Sequence, residues 1–335
     1  MESKWHRCAL IEDSTGKERC FMEVDLIILS KEDNLELGMK RQIERIFKKL
    51  YSDVHDSSFM LDVNGKACLI KYQLSAKISN MLFVKYICDC TPAKAAKVMD
   101  VAVNKLIQGE HRKSWNIVIT YDEVSQLYCC KLMPLFGKFE RRIRELVYLT
   151  IIKIFGVHWY DESFSQNLKN IMSGKGNKTK LVEGALNELT YEQLKEYLFT
   201  PFSNFNLSDM LNGELSKDKI DTLSKEEIVA ALDKCRCISL WDRFFSEYKQ
   251  FQDLHERINK LQLKRNSVMH HKRITQVEYE SVRKELTSVN KRLEEAILLL
   301  EEEMYTEKNW KMLFQLWEIC YQIFWEHLFQ NGLIR

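Results

Sequence analysis

FQDLHERINKLQLKRNSVMHHKRI, residues Phe251 to Ile274, holds the pattern that decides the helical half of this chain. Its apolar residues fall at Phe251, Leu254, Ile258 and Leu261, the three- and four-residue steps of one helix face. With Trp241 to Leu263 taken as one long amphipathic helix, the same steps predict apolar residues at 265 and 268. Val268 obeys, but position 265 is an arginine. A guanidinium in a packing seam is costly unless it meets an anion or a set of acceptors. A single charged residue that breaks an otherwise regular binary pattern marks a place to look for function.

The neighbours of Arg265 have the side chains that RNA cleavage needs. A histidine such as His270 titrates near neutral pH and moves the proton of a 2′-hydroxyl or of a leaving 5′-oxygen. Arg265 suits the non-bridging phosphate oxygens and the charge that develops there, and the Asn266 amide suits orienting the phosphate or the imidazole. The 2′-hydroxyl supplies the nucleophile, so this chemistry calls for neither a metal nor another cofactor. Its products are a 2′,3′-cyclic phosphate, or the 3′-phosphate it opens to, and a 5′-hydroxyl. Asn266 and His270, four apart, share a helix face. Arg265 and His270, five apart, are separated by about 140° on an ideal helix. Closing that gap takes the reach of arginine, a bend, or a second chain across a dimer seam. As bare spacing, R-N-x-x-x-H fits helix-end residues that cap and pair equally well. Lys264, His271, Lys272 and Arg273 extend a basic patch suited to RNA phosphates, His271 also reading as a plain helix-end residue; Arg257 to Arg292 holds ten Lys/Arg against three Glu.

Downstream, Thr275 and Glu278 form a capping box that opens a helix with Tyr279, Val282, Leu286, Val289, Leu293, Ala296 and Leu300 at alternating three- and four-residue steps. An aromatic-rich final helix is expected over Trp310–Phe329. Upstream, Phe139–Phe155 carries a stripe of Phe139, Ile143, Leu146, Leu149 or Thr150, and Ile154, and Gly156 is a helix stop. Glu140 and Glu145 suit ion pairs within that helix. Ser173 to Lys180 reads as a polar loop, and Thr190 and Ser224 as N-caps of short helices Tyr191–Phe199 and Ser224–Asp233. Residues 131–335 therefore read as an all-α bundle.

Residues 1–130 have a different texture. Strand-like Cys20–Leu29, helical Leu35–Leu50, strands at Phe59–Val63, Lys66–Tyr72 and Ile78–Ile87, an Ala-rich helix at Pro92–Ile107 and a strand at Trp115–Thr120 give the order βαβββαβ. Asn64-Gly65 between two apolar runs is a hairpin signal. The fold class is α+β with two domains: a small α/β sandwich of ferredoxin-like topology, of unread role, followed by a helical bundle.

The totals fit this division. The chain has 335 residues, 45% hydrophobic and 29% charged, with three prolines and eleven glycines, which favours long helices over many turns. The net charge of +2 gives no bulk signal for nucleic acid, so any such footprint is local. Ten cysteines include no C-x-x-C pair and read as scattered thiols in a reducing compartment. Neither a secretory signal nor a long charge-free run is visible, so a cytoplasmic protein without membrane association is expected.

The run RNSVMHHKRI, preceded by LWDRFFSEY (Leu240–Tyr248) and followed by the heptad helix, resembles the HEPN superfamily, more narrowly the HEPN proteins of bacterial abortive-infection systems. FERRIRELVYLTIIKIFGVHW (Phe139–Trp159) resembles the first helix of that group, and the resemblance covers residues 131–305. HEPN domains are helical bundles with an R-x(4–6)-H motif, often with a polar residue directly after the arginine; Arg265, Asn266 and His270 match it one for one. The resemblance implies a metal-independent endoribonuclease of antiphage defence, acting on RNA as a homodimer that brings two motifs together. It also leaves open a catalytically inactive RNA-binding or protein-interaction module, and the toxin of a toxin–antitoxin pair held by an antitoxin or inhibitory RNA.

Overall fold

The computed structural model describes residues 10–12, 18–31 and 38–304, apart from 56, 64, 79, 174–177, 204–206, 247–250 and 252. The expected final helix, Trp310–Phe329, lies outside the described residues. The chain forms two compact units. One contains the described residues up to Phe136 together with Leu263–Glu285; the other contains Gly137–Gln262 and the described residues from Leu286 onward. In this division the first unit runs a few residues past 130, and the segment that carries Arg265 and His270 groups with it.

That first unit is built on an antiparallel sheet: β1 (Leu10–Glu12), β2 (Glu18–Ser30), β3 (Ser52–His55), β4 (Ser58–Val63), β5 (Lys66–Ile78), β6 (Met81–Cys90) and β7 (Trp115–Asp122), with helices α1 (Met39–Leu50) and α2 (Pro92–Gln108). The order is β1-β2-β6-β5-β4-β3, with β7 also pairing with β2, along the edge opposite β6. The β7-β2-β6-β5 set, with α2 joining β6 to β7, follows the expected ferredoxin-like order. The chain leaving α1 re-enters at the far edge through β3 and β4. The very short β1 and β3 were not legible in the sequence, since a few residues carry too little alternation.

Period-two alternation builds the sheet's covered face. Met22, Val24, Leu26 and Ile28 of β2, Leu82, Val84 and Tyr86 of β6, and Phe59 and Leu61 of β4 are all buried, as are Ile43 and Phe47 of α1 and Ala95, Met99, Ala102 and Leu106 of α2. Small alanines let α2 approach the strands closely. Between α1 and the sheet, Phe47 meets Tyr72 edge-on at 5.0 Å and Tyr51 stacks on Phe59 at 3.9 Å. The Asn-Gly hairpin forms where expected: Val63 pairs with Lys66, and Gly65 takes φ +71 while donating to the Asp62 carboxylate at 2.8 Å.

The second unit is helical. Thr190 and Ser224 each complete a capping box, with Gln193 and Glu227. One helix, α3 (Glu123–Phe155), begins well before the expected Phe139, and Gly156 at φ +54 follows its end. Its buried stripe runs Phe139, Ile143, Leu146, Thr150, Ile151; Ile154, expected in the stripe, is exposed. Glu145 pairs with Arg142 at 2.7 Å and Glu140 with Arg144 at 3.5 Å, both within α3. Lys178–Glu188 is helical, so the expected polar loop ends earlier than Lys180. The long helix expected over Trp241–Leu263 is instead two, Leu240–Phe244 and Leu254–Met269, separated by a turn after Phe245. Trp241, Phe245 and Phe251 pack together across that break, so the apolar periodicity reports the packing but not the interruption.

Candidate functional site

The motif occupies the last turn of the helix Leu254–Met269. Leu254, Ile258, Leu261 and Val268 are each no more than 2% exposed, whereas Arg265, on the same stripe, is half-buried. The seam read from the sequence is thus real, and Arg265 interrupts it. Asn266 is half-buried and His270 exposed. The backbone stays α-helical through Met269, so Arg265 and His270 keep the angular separation of an α-helix, and no bend brings them together.

His270 sits at the point where this helix stops. Its N–H still donates to the Asn266 carbonyl at 3.1 Å, after which His271 turns into the left-handed region at φ +48. Two further bonds close the end, His271 N–H to the Val268 carbonyl at 3.1 Å and Lys272 N–H to the Ser267 carbonyl at 2.9 Å. These form a Schellman closure with a histidine at the position that favours glycine. His271 therefore has a structural task as a helix-end residue, and it directs the chain away immediately beyond His270.

Beyond that turn, polar groups of the N-terminal unit fix the chain. The Arg273 guanidinium donates to Asn104 Oδ1 at 2.7 Å and lies 3.6 Å from Asp100 Oδ1. The other Asp100 oxygen accepts the Gln276 N–H at 2.8 Å. Ser125 Oγ donates to Asp122 at 2.7 Å and accepts the Ile274 N–H at 3.0 Å, while Tyr279 stacks on Tyr128 at 4.6 Å. Asp100 is 6% exposed; burial raises its carboxyl above the usual carboxylate range, with the Gln276 N–H and Arg273 pulling the other way. The Thr275–Glu278 capping box closes on both sides, at 3.1 and 3.3 Å, and opens the helix Gln276–Met304, whose seam residues Val282, Leu286, Val289, Leu293 and Ala296 are buried.

The sequence-selected basic residues divide accordingly. Lys264 pairs with Glu278 at 3.3 Å on the surface, Lys272 is exposed, and Arg273 is partly engaged by the buried carboxylate. A cleft of about 390 Å³ opens beside the turn, lined by Ile119, Thr120, Tyr121, Gln126, His271 and Arg273 among others. Sequence reasoning did not find Asp100, Asn104 or Ser125. Asp100 carried a usable signal, an acid within the Ala- and Val-rich buried face of α2, the same kind of violation that marked Arg265. The partners Asn104 and Ser125 carried none.

The described cysteines are free thiols, and among the described residues no group of three or more His, Cys, Asp or Glu side chains is placed to hold a metal ion. None of the described helices is long and apolar enough to cross a membrane. The chain matches no protein-family model, no curated protein and no solved structure.

Proposed function

We propose that this protein is a metal-independent endoribonuclease of the HEPN type, serving antiphage abortive infection in the cytoplasm as a homodimer. Arg265 binds the scissile phosphate, His270 transfers protons, and Asn266 orients one or the other. The observation that carries this reading is the half-buried Arg265 in a seam whose other members are buried, one turn before an exposed histidine at a braced helix end. A purely structural arginine gains nothing from that histidine, whereas phosphate chemistry uses both. The separation of Arg265 and His270 around the helix favours a site completed by a second copy of the chain. Lys264 and Lys272 then serve as outer phosphate contacts.

Expression of the wild-type chain beside Arg265→Ala and His270→Ala variants tests this. The wild type is expected to arrest growth or protect against phage, and each variant to lose that effect at unchanged protein level. Variants as toxic or as protective as the wild type contradict the reading.

A further inference from the structure

We infer that the cleft beside the motif turn is a subsite for an unpaired nucleotide of the RNA strand, next to the scissile phosphate. This deepens the nuclease reading and rests on it for the choice of an RNA strand as ligand. All the groups involved belong to the first compact unit.

Three features of the cleft carry the inference. First, Arg273 faces it with its orientation already set: Nη2 is held by Asn104 and the 6%-exposed Asp100, while Nε and Nη1 have no hydrogen-bond partner among the described residues. An arginine locked by a buried carboxylate, with donors left over in a cleft, is preorganised for an anion such as a phosphate diester. Second, Tyr121 offers an aromatic surface. Its hydroxyl donates to Glu123 Oε1 at 2.8 Å, and the other Glu123 oxygen accepts the Glu23 N–H at 2.7 Å, so the hydroxyl is anchored while the residue stays 41% exposed. A partly exposed aromatic side chain held at its hydroxyl suits stacking a base of any identity. Third, the half-buried Gln126 lines the same cleft with an amide that makes no hydrogen bond among the described residues, leaving both a donor and an acceptor for a base edge. The carboxylate present there, Asp122, is occupied by Ser125 through both its N–H and its hydroxyl, at 3.0 and 2.7 Å. A volume of about 390 Å³ suits one nucleotide and not a duplex.

The chain reverses at His271 between His270 and Arg273, which sets the anion-binding arginine three residues from the proposed proton carrier. A strand whose phosphate lies at His270 is then positioned to offer its neighbouring nucleotide to the cleft. Base stacking and amide contacts there give the site a preference for unpaired RNA.

The test uses the full chain carrying His270→Ala, so that bound RNA is not consumed, and a fluorescein-labelled single-stranded RNA of mixed sequence. Anisotropy titrations compare this parent with the added changes Tyr121→Leu and Gln126→Ala. Each is expected to weaken binding about tenfold, the scale of one lost base stack, with Tyr121→Phe keeping most of the affinity and melting temperatures unchanged. Unchanged affinity in both Tyr121→Leu and Gln126→Ala overturns the subsite. So does a ribonucleoside monophosphate that competes as strongly as the strand, because the ligand is then a free nucleotide. Cleavage by the otherwise wild-type chain, measured in parallel, separates the two ideas: intact cleavage with unchanged binding sinks the cleft alone, and absent cleavage with cleft-dependent binding sinks the nuclease reading alone.

Discussion

The covered face of the sheet and the segment Leu263–Glu285 belong to the same compact unit, yet they are held by different physics. The sheet face is closed by alternating aliphatic and aromatic side chains against two helices, an interaction that is strong and non-directional. The motif turn is fixed by Asp100, Asn104 and Ser125 through hydrogen bonds of 2.7 to 3.0 Å, aided by Ile274 and a Tyr128–Tyr279 stack. Apolar burial sets where an element lies; directional bonds set how a loop is turned. The polar brace ties the motif turn to Asp100, Asn104 and Ser125, an attachment that the sequence alone did not reveal.

Breaking the apolar side of this comparison should cost the most. Ile28→Ala, at a fully buried position, is expected to lower unfolding free energy by about 2–5 kcal/mol in urea titrations. A loss below about 1 kcal/mol would show that the sheet face collapses around the gap. Breaking the polar side should cost less stability and more activity. Asp100→Ala leaves the Gln276 N–H without its acceptor and the Arg273 guanidinium with Asn104 alone, an expected loss of about 2 kcal/mol, and on the proposed function RNA cleavage is expected to fall far more than that destabilisation explains. Equal losses of stability and activity would reduce the brace to ordinary packing.

The pH response sharpens the same point. Burial raises the Asp100 carboxyl, so its contribution to stability is fully present below the unfolded-state value and is lost as pH rises through the folded-state value. The stability of the wild type relative to Asp100→Asn should therefore decline as pH is raised upward from the ordinary carboxylate value of about 3.9. A flat or rising difference contradicts the burial assigned to this group. The smallest effect is expected at the helix end. His271→Gly relieves a left-handed non-glycine residue and should stabilise the chain by about 1 kcal/mol by thermal denaturation, leaving His270 in place.

Much of this architecture could be read directly from the residues. Long-range periodicity located the β2, β4 and β6 cores and the seam on Gln276–Met304, and the N-caps Thr190, Ser224 and Thr275 marked helix starts, because a side-chain oxygen there satisfies specific orphan donors. The break between Leu240–Phe244 and Leu254–Met269 was hidden, since Trp241, Phe245 and Phe251 keep the apolar spacing of a continuous helix while packing across a turn. Of the site, Arg265 announced itself by breaking a pattern. The attachment of residues 263–285 to the N-terminal unit depends on contacts more than a hundred residues apart in sequence, such as Ser125 to Ile274, for which spacing rules carry no signal.

We propose that Arg265 and His270 cleave RNA without a metal. Incubating purified wild-type, Arg265→Ala and His270→Ala chains with single-stranded RNA in excess EDTA, and analysing the ends of the fragments, tests it directly. The expected result is cleavage by the wild type alone, leaving 2′,3′-cyclic phosphate and 5′-hydroxyl ends. Strict dependence on magnesium, or equal cleavage by either variant, contradicts the claim.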